Sequence, residues 1–101
     1  MRSRKKLEGI LPVLATPLKG NEEVDEKGLR KLIRHVMQVP NAGLVICGSI
    51  GEFAALSYME RRRTIEIAID EVRGRVAIIA GTGDSGTLKA AENTRVAEEV
   101  G

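Results

Sequence analysis

The sequence predicts an α/β fold made of three successive β-strand–α-helix units. Short apolar runs begin near residues 10, 44 and 76, and a helical pattern follows each of them. Strands that are joined by crossover helices in this way must be parallel. The alternation fits the first units of a (β/α)8 barrel or an open doubly wound sheet. Both architectures place chemistry at the carboxyl ends of strands, so the candidate sites are the loops near residues 16, 48 and 81.

The three predicted strands are apolar throughout, which is typical of strands buried on both faces of a parallel sheet. We expect them at residues 10–15, 44–47 and 76–80. The first strand contains Pro12, whose nitrogen cannot donate to a ladder, and it stops at Thr16-Pro17. Pro12 therefore belongs early in its strand or at a sheet edge.

Three helices are predicted from capping residues and apolar periodicity. We expect them near residues 26–39, 58–73 and 88–100. Asp25 is a good N-cap for the first helix, and Ser57 with Glu60 forms a capping box for the second. Thr87 is expected to cap the third. The first helix carries a five-residue apolar stripe, formed by Leu29, Leu32, Ile33, Val36 and Met37.

Composition excludes several classes of protein. The 101 residues are 43% hydrophobic and 30% charged, which is ordinary for a globular domain. A single cysteine excludes an internal disulfide, and no Cys/His cluster has the spacing of a zinc site. No apolar run approaches the ~20 residues that span a bilayer, and no signal peptide follows the basic start. We therefore expect a cytoplasmic location, no membrane partner, no metal and no cofactor.

Residues 1–8 form a basic leader, with positive charges at Arg2, Arg4, Lys5 and Lys6. Such a cluster is found both in nucleic-acid-binding arms and in solvated termini. The chain has one Phe, one Tyr and no Trp, so it offers few aromatic surfaces on which bases could stack. This favours a solvated leader and no nucleic-acid partner.

The second loop, Gly48-Ser49-Ile50-Gly51-Glu52, is the most informative of the three. Its two glycines allow a sharp turn that exposes consecutive backbone N–H groups, which form an anion-binding concavity suited to a carboxylate. The alternative is a tight β–α turn in which Ser49 makes only local hydrogen bonds. A nucleophile elbow is a poor fit, because Cys47 occupies the first glycine position of that motif and no histidine follows Ser49.

The third loop, Gly81 to Gly86, reads G-T-G-D-S-G and matches a dinucleotide-binding turn after a strand and before a helix. That turn usually opens the first unit of its domain, whereas here it lies in the third. A nucleotide-binding α/β domain built on this loop is therefore a weaker alternative.

Four segments together resemble the N-terminal third of the dihydrodipicolinate synthase/N-acetylneuraminate lyase superfamily. They are the strand end LATP, the loop GSIGE followed by FAALS, the capped helix YMERRRTIEIAIDEVRGR and the strand end IIAGTG. The similarity covers residues 9–101. It implies that these residues form the first three βα units of a (β/α)8 barrel, a fold of typically ~250 residues. It also implies a homo-oligomeric, commonly tetrameric, parent protein.

The resemblance implies a class I aldolase or lyase, which holds pyruvate or a related 2-keto acid as a Schiff base on a lysine. By the same resemblance, the backbone N–H groups of Ser49 and Ile50 bind the substrate carboxylate, and the Ser49 hydroxyl takes part in a proton relay. Many members carry a hydroxyl residue where this chain has Ile50, so the particular 2-keto acid stays open.

The Schiff-base lysine of the family lies on a later strand, so it is not expected in this chain. The six lysines present fall in the leader, in the first loop and on helices; they are Lys5, Lys6, Lys19, Lys27, Lys31 and Lys89. The 101-residue chain is therefore expected to be an inactive fragment of such an enzyme. A different hypothesis is a non-catalytic, self-associating module, because three parallel strands would leave open edges.

Overall fold

The computed structural model describes residues 7–101, so Arg2 to Lys6 of the predicted leader lie outside the described residues. Three helices and two strands alternate, and a short 3-10 turn follows the first strand. In chain order the elements are α1 (Glu26–Val36), β1 (Gly43–Ile46), the 3-10 turn (Phe53–Ala55), α2 (Tyr58–Val72), β2 (Ala77–Ala80) and α3 (Thr87–Val100).

Strands β1 and β2 pair in parallel, with Gly43 opposite Ala77 and Ile46 opposite Ala80. Helix α2 connects them, as the predicted βαβ crossover requires. A Cβ atom on Gly43 would lie 2.6 Å from the Ala77 carbonyl oxygen, so only glycine fits at the start of β1. The parallel direction brings the two strand ends, and the loops that follow them, to the same edge of the sheet.

The predicted first strand, residues 10–15, is wrong as a regular strand. Only Val13 forms a bridge, parallel to Val45, with hydrogen bonds from Leu14 N to Val45 O at 2.9 Å and from Val45 N to Pro12 O at 2.8 Å. The next rung toward the start of the ladder would need an N–H group on Pro12, and proline has none. The segment therefore lies beside β1 in the expected direction without forming a continuous ladder.

Two helix limits also differ from prediction. Helix α1 ends at Val36 rather than near residue 39, because Gln38 and Val39 donate three residues back, to His35 and Val36, in a tightened turn before Pro40. Helix α3 starts at Thr87, so its N-cap is Gly86, with no side-chain cap. Thr87 is thus the first helical residue and not the cap.

The other two caps are confirmed. The Asp25 side chain accepts a hydrogen bond from Gly28 N at 3.0 Å, and a Cβ atom on Gly28 would come within 2.6 Å of that carboxylate. At the start of α2, Ser57 Oγ accepts from Glu60 N at 3.1 Å while the Glu60 carboxylate accepts from Ser57 N at 2.8 Å. Both helices therefore begin at fixed points, which sets where the preceding loops end.

The core lies between α1, α2 and β1. Helix α1 buries Leu29 and Ile33 completely and Leu32, Val36 and Met37 in part, which confirms the predicted stripe. Helix α2 is buried on two sides, because it packs against α1, α3 and the sheet. Its fully or almost fully buried residues are Thr64, Ile65, Ile67, Ala68 and Val72. Strand β2, in contrast, is only half-buried along its whole length.

Ion pairs join the outer faces of α1 and α2. The Arg30 guanidinium lies 2.7 Å from Asp70 and 3.2 Å from Glu71, and it also pairs with Glu26 at 3.1 Å. Hydrogen bonds from Arg63 and then Arg30 lower the pKa of Glu26, and hydrogen bonds from Arg34 and then Arg30 lower the pKa of Glu71. A single exposed ion pair contributes little to stability. Any stabilisation of the contact between α1 and α2 therefore comes from the network in which one guanidinium is shared by three carboxylates.

Candidate functional site

The loop from Gly48 to Glu52 lies at the carboxyl end of β1, as predicted. Cys47 and Glu52, on either side of its turn, adopt left-handed backbone conformations with φ of 55° and 58°. Inside the loop, Glu52 N donates to Ser49 O at 3.0 Å, and Phe53 N donates to Gly48 O at 3.3 Å. Such conformations are costly for residues other than glycine, so the surrounding contacts hold this turn in place.

The backbone N–H groups of residues 48–51 have no acceptor within residues 7–101, and Ser49 and Ile50 are the exposed pair among these residues. Within residues 7–101, neither Ser49 N nor Ile50 N donates to a backbone carbonyl or a side chain. Both residues are exposed, Ile50 by 62%. Consecutive N–H groups in a turn that begins in the left-handed region form a concavity suited to a carboxylate.

A threonine at the end of the first segment fixes this loop. Thr16 is buried, and its hydroxyl donates to Gly51 O at 2.7 Å. A Cβ atom on Gly51 would lie 3.1 Å from that hydroxyl and 3.2 Å from both Cys47 N and Leu14 O, so glycine suits this position. The sequence marked Thr16 only as the end of a strand. Its role could have been suspected from one feature of the sequence: Thr16 carries a hydroxyl at the end of a predicted strand, and that hydroxyl is not needed to cap a helix.

The second and third loops are in direct contact. Gly81 N donates to Ile46 O at 2.8 Å, which continues the pairing of β2 with β1. A Cβ atom on Gly81 would lie only 2.1 Å from Cys47 O and 3.2 Å from Gly48 N. Gly81 is therefore needed for close approach of two backbones, rather than for binding a phosphate.

The third loop carries a carboxylate of its own. Asp84 accepts from Ser85 N at 2.7 Å and lies 3.5 Å from the Asn93 side-chain amide. The hydrogen bond from Ser85 N, with smaller contributions from Asn93 and Arg61, lowers the pKa of Asp84. An ionised Asp84 would repel a pyrophosphate, which disfavours the dinucleotide interpretation of Gly81 to Gly86.

Arg61 links the two loops, although it belongs to a run of charged residues, 60–63, of a kind that is mostly exposed in proteins. Its side chain is only 12% exposed, and its guanidinium donates to Gly83 O at 2.8 Å. The guanidinium carbon lies 5.2 Å from the centre of the Phe53 ring. Three consecutive arginines look alike in the sequence, so nothing there indicates that Arg61 rather than its neighbours turns inward.

Cys47 and His35 do not form a nucleophilic site. Cys47 is 1% exposed, and burial raises the pKa of its thiol to about 11, which keeps it protonated at neutral pH. His35 is exposed on α1, the element before β1. In the nucleophile-elbow alternative the nucleophile would be Ser49, and the one histidine of the chain lies on α1 rather than in the loops at the carboxyl ends of the strands.

The lysines that the structure describes lie away from the strand ends. Lys19 is in a surface turn, Lys27 and Lys31 are on α1, and Lys89 is on α3; all four are exposed. Lys5 and Lys6 are outside the described residues. Among residues 7–101, then, the site has backbone donors and hydroxyls but no amine at the carboxyl end of a strand.

Residues 7–101 contain no cluster of three or more His, Cys, Asp or Glu side chains arranged to hold a metal ion. No helix in the described part of the chain is long and apolar enough to cross a membrane.

Residues 6–101 match the dihydrodipicolinate synthetase family, almost the whole length of the chain. The chain belongs to this family. A 4-hydroxy-tetrahydrodipicolinate synthase of Syntrophus aciditrophicus is 46% identical over 94 residues, which make up 93% of this chain and 32% of that protein. The chain thus spans about a third of the length of the curated relatives it matches.

Solved structures of the family have the same fold. The chloride-inhibited dihydrodipicolinate synthase of Acinetobacter baumannii, complexed with pyruvate, superposes with a TM-score of 0.91 at 32% identity, covering 95% of this chain and 33% of that one. An N-acetylneuraminate lyase from Mycoplasma synoviae gives 0.84 at 25% identity, covering 93% and 33%. The three units described here are therefore the first three βα units of a (β/α)8 barrel, which decides between the two architectures that the sequence left open.

Proposed function

We propose that this chain supplies the carboxylate-binding loop of a class I aldolase or lyase that acts on pyruvate or a related 2-keto acid. The observation that carries the proposal is a pair of N–H groups without an internal acceptor on two exposed residues, Ser49 and Ile50, in a loop fixed by Thr16 at the carboxyl end of β1. The relative complexed with pyruvate and the N-acetylneuraminate lyase support this class of substrate.

The proposed chemistry divides between this chain and later parts of a barrel. A lysine elsewhere forms a Schiff base with the keto carbon, and the iminium then accepts electrons from the bond that breaks. The Ser49–Ile50 backbone holds the carboxylate, which orients the iminium and lowers the entropic part of the barrier. The Ser49 hydroxyl is exposed and can donate or accept a proton in a relay.

The side chain of Ile50 limits which 2-keto acids fit the loop, but it does not identify one. Its backbone N–H group binds an anion as well as that of any other residue would, but its side chain offers no hydrogen bond. We therefore expect the group next to this side chain in the bound substrate to be one that needs no hydroxyl partner. The parent enzyme is proposed to be a cytoplasmic homo-oligomer.

Borohydride trapping tests whether the Schiff-base lysine lies outside this chain. The 101-residue chain is incubated with pyruvate and sodium borohydride, beside a full-length relative, and both are analysed by mass spectrometry. We expect a reduced pyruvate adduct on the relative and none on this chain, because its described lysines are exposed and away from the strand ends. An adduct on a single lysine of this chain would show that it holds its own nucleophile.

Self-association is a second candidate function, favoured by the state of β2. This strand is half-buried, and a groove of about 780 Å³ runs along it between α2 and α3. Ile69, Val76, Ile78 and Ala97 are among the residues that line the groove. An open strand edge beside apolar side chains is a common site of association. Sedimentation equilibrium tests this: a monomer at all concentrations would exclude it.

A further inference from the structure

Arg61 lies where helix energetics disfavour a cation. It is in the first turn of α2, where its own N–H donates to Ser57 O at 2.9 Å, and the helix macrodipole makes that end positive. Its neighbours Arg62 and Arg63 are 35% and 52% exposed and pair with carboxylates on the helix surface, whereas the Arg61 side chain is 12% exposed. Contacts of its own must therefore explain its position.

Those contacts lie on both sides of the gap between the second and third loops. The guanidinium donates to Gly83 O at 2.8 Å in the third loop, and it lies over the ring of Phe53, which directly follows the second loop. A Cβ atom on Gly83 would lie 3.7 Å from that ring, so the third loop also packs against Phe53. One planar group thus holds a backbone carbonyl and an aromatic face at the same time.

We propose that Arg61 is a positioning residue that holds the third loop against Phe53 and thereby keeps the loop from Gly48 to Glu52 in its anion-binding shape. The connection runs through Phe53, whose N–H donates to Gly48 O at 3.3 Å and closes the loop. The role in substrate binding rests on the function proposed for that loop, while the coupling of the two loops does not.

The charge of Arg61 also contributes to the site. Its nearest carboxylate, Asp84, is 3.9 Å away, longer than a hydrogen bond, so the positive charge is only partly neutralised. A mostly buried cation beside the second loop favours an anion there more than an exposed cation would. Arg61 therefore acts on the loop in two ways, through contact geometry and through charge.

Backbone amide NMR spectra of the 15N-labelled chain separate these roles. The variants are Arg61→Met, which removes both charge and planar contact, and Arg61→Lys, which keeps only the charge. Arg62→Met is the matched control, because it removes an equal charge one residue away, where the side chain pairs with Glu66 on the surface of the same helix. Thermal unfolding of every variant is followed by circular dichroism, and sodium pyruvate is titrated into each at constant ionic strength.

We expect both Arg61 variants to shift the amide resonances of residues 48–53 and of Gly83 before pyruvate is added, and Arg62→Met to leave them in place. Arg61→Met should weaken pyruvate binding about tenfold, because the loop loses the support of the charge-assisted hydrogen bond to Gly83 O and must be ordered when the anion binds. Arg61→Lys should recover part of that loss.

The coupling is overturned if Arg61→Met leaves the loop amides unchanged, or if Arg62→Met moves them as far. It is also overturned if both Arg61 variants unfold, since Arg61 would then support the whole domain rather than one loop. A wild-type chain that shows no response to pyruvate contradicts the proposed function alone, because the pyruvate-free spectra still decide whether Arg61 positions the loop.

Discussion

The hydroxyl of Thr16 donates a 2.7 Å hydrogen bond to the carbonyl oxygen of Gly51, across 35 positions of the chain. This bond ties the end of the first segment to the loop after β1. It turns the Gly51 carbonyl away from solvent, while the N–H groups of Ser49 and Ile50 are left without an internal acceptor within residues 7–101. The loop thus has its carbonyl satisfied inside the fold and its donors available at the surface.

Replacement of Thr16 by valine keeps the side-chain shape and removes the donor. Because the buried Gly51 carbonyl loses its partner, we expect the free energy of unfolding to fall by about 1–3 kcal/mol in urea denaturation. Hydrogen exchange of the loop amides should also become faster. Thr64→Val is the control: Thr64 is also buried, but its hydroxyl donates to Glu60 O in its own helix. Loop exchange that is equal in both variants would refute the role of Thr16.

Gly81 should tolerate no side chain. In Gly81→Ala the new methyl group would lie 2.1 Å from Cys47 O, so the two strand ends must separate. We expect a loss of about 3 kcal/mol or more in the free energy of unfolding, at or above the upper end for overpacking. Gly20→Ala is the matched change, since a Cβ atom there would meet no described atom within 4 Å beyond its chain neighbours. Similar unfolding midpoints for the two variants would contradict the close approach.

The Cys47 thiol should react slowly in the folded chain. Its pKa is raised from 9.0 to about 11 by burial, so at pH 8 very little thiolate is present, and the side chain is 1% exposed. Labelling with a disulfide reagent should be slow in buffer and fast in urea. Rapid labelling without denaturant would show that the strand end opens readily.

The same pKa shift predicts how stability changes at high pH. Between pH 9 and 11 the unfolded chain releases the thiol proton while the folded chain keeps it, so the free energy of unfolding falls as pH rises. The fall is at most about 1.4 kcal/mol per pH unit. Cys47→Ala should lack this contribution. Parallel pH profiles for the two proteins would show that the thiol is not buried as described.

The ion pairs of Arg30 should affect how the free energy of unfolding changes at low pH. The pKa of Glu26, lowered chiefly by Arg63 and then Arg30, and the pKa of Glu71, lowered chiefly by Arg34 and then Arg30, lie below the ordinary 4.5. The contribution of these carboxylates to stability is therefore present above 4.5 and is lost as pH falls through the lowered values, and Arg30 supplies part of it. Arg30→Met should make the acid limb of the stability profile shallower. Lys27→Met, which removes one charge from the same helix, should not. Chemical denaturation between pH 2 and 6 (roughly the range of carboxylate titration) gives both profiles.

Much of the fold could be predicted because local signals agreed with each other. The caps at Asp25 and Ser57 and the stripe of α1 each follow from near neighbours in the sequence. The first strand failed because one missing N–H group, on Pro12, interrupts a ladder that the apolar pattern alone would extend. The pattern of apolar residues along a chain does not show which single hydrogen bonds of a ladder can form.

The position of the candidate loop could be predicted from the sequence, but the residues that hold the loop in place could not. Ser49 and Ile50 lie in a motif that is local in sequence, so their place at the end of β1 followed from the strand. Thr16 and Arg61 act across 35 and 22 positions of the chain, through Gly51 and Gly83. Which hydroxyl or guanidinium turns inward depends on packing between elements, and nothing in the neighbouring residues specifies it.

Pyruvate binding to the 15N-labelled chain tests the proposed loop most directly. Ser49→Ala is the informative companion, since it removes the hydroxyl and keeps both N–H groups, and sodium chloride at equal ionic strength is the control anion. We predict saturable shifts at the amides of Ser49 and Ile50 in both proteins, because the backbone is the binding group. Shifts that are absent there, or that chloride reproduces in full, would contradict a 2-keto acid carboxylate site in this loop.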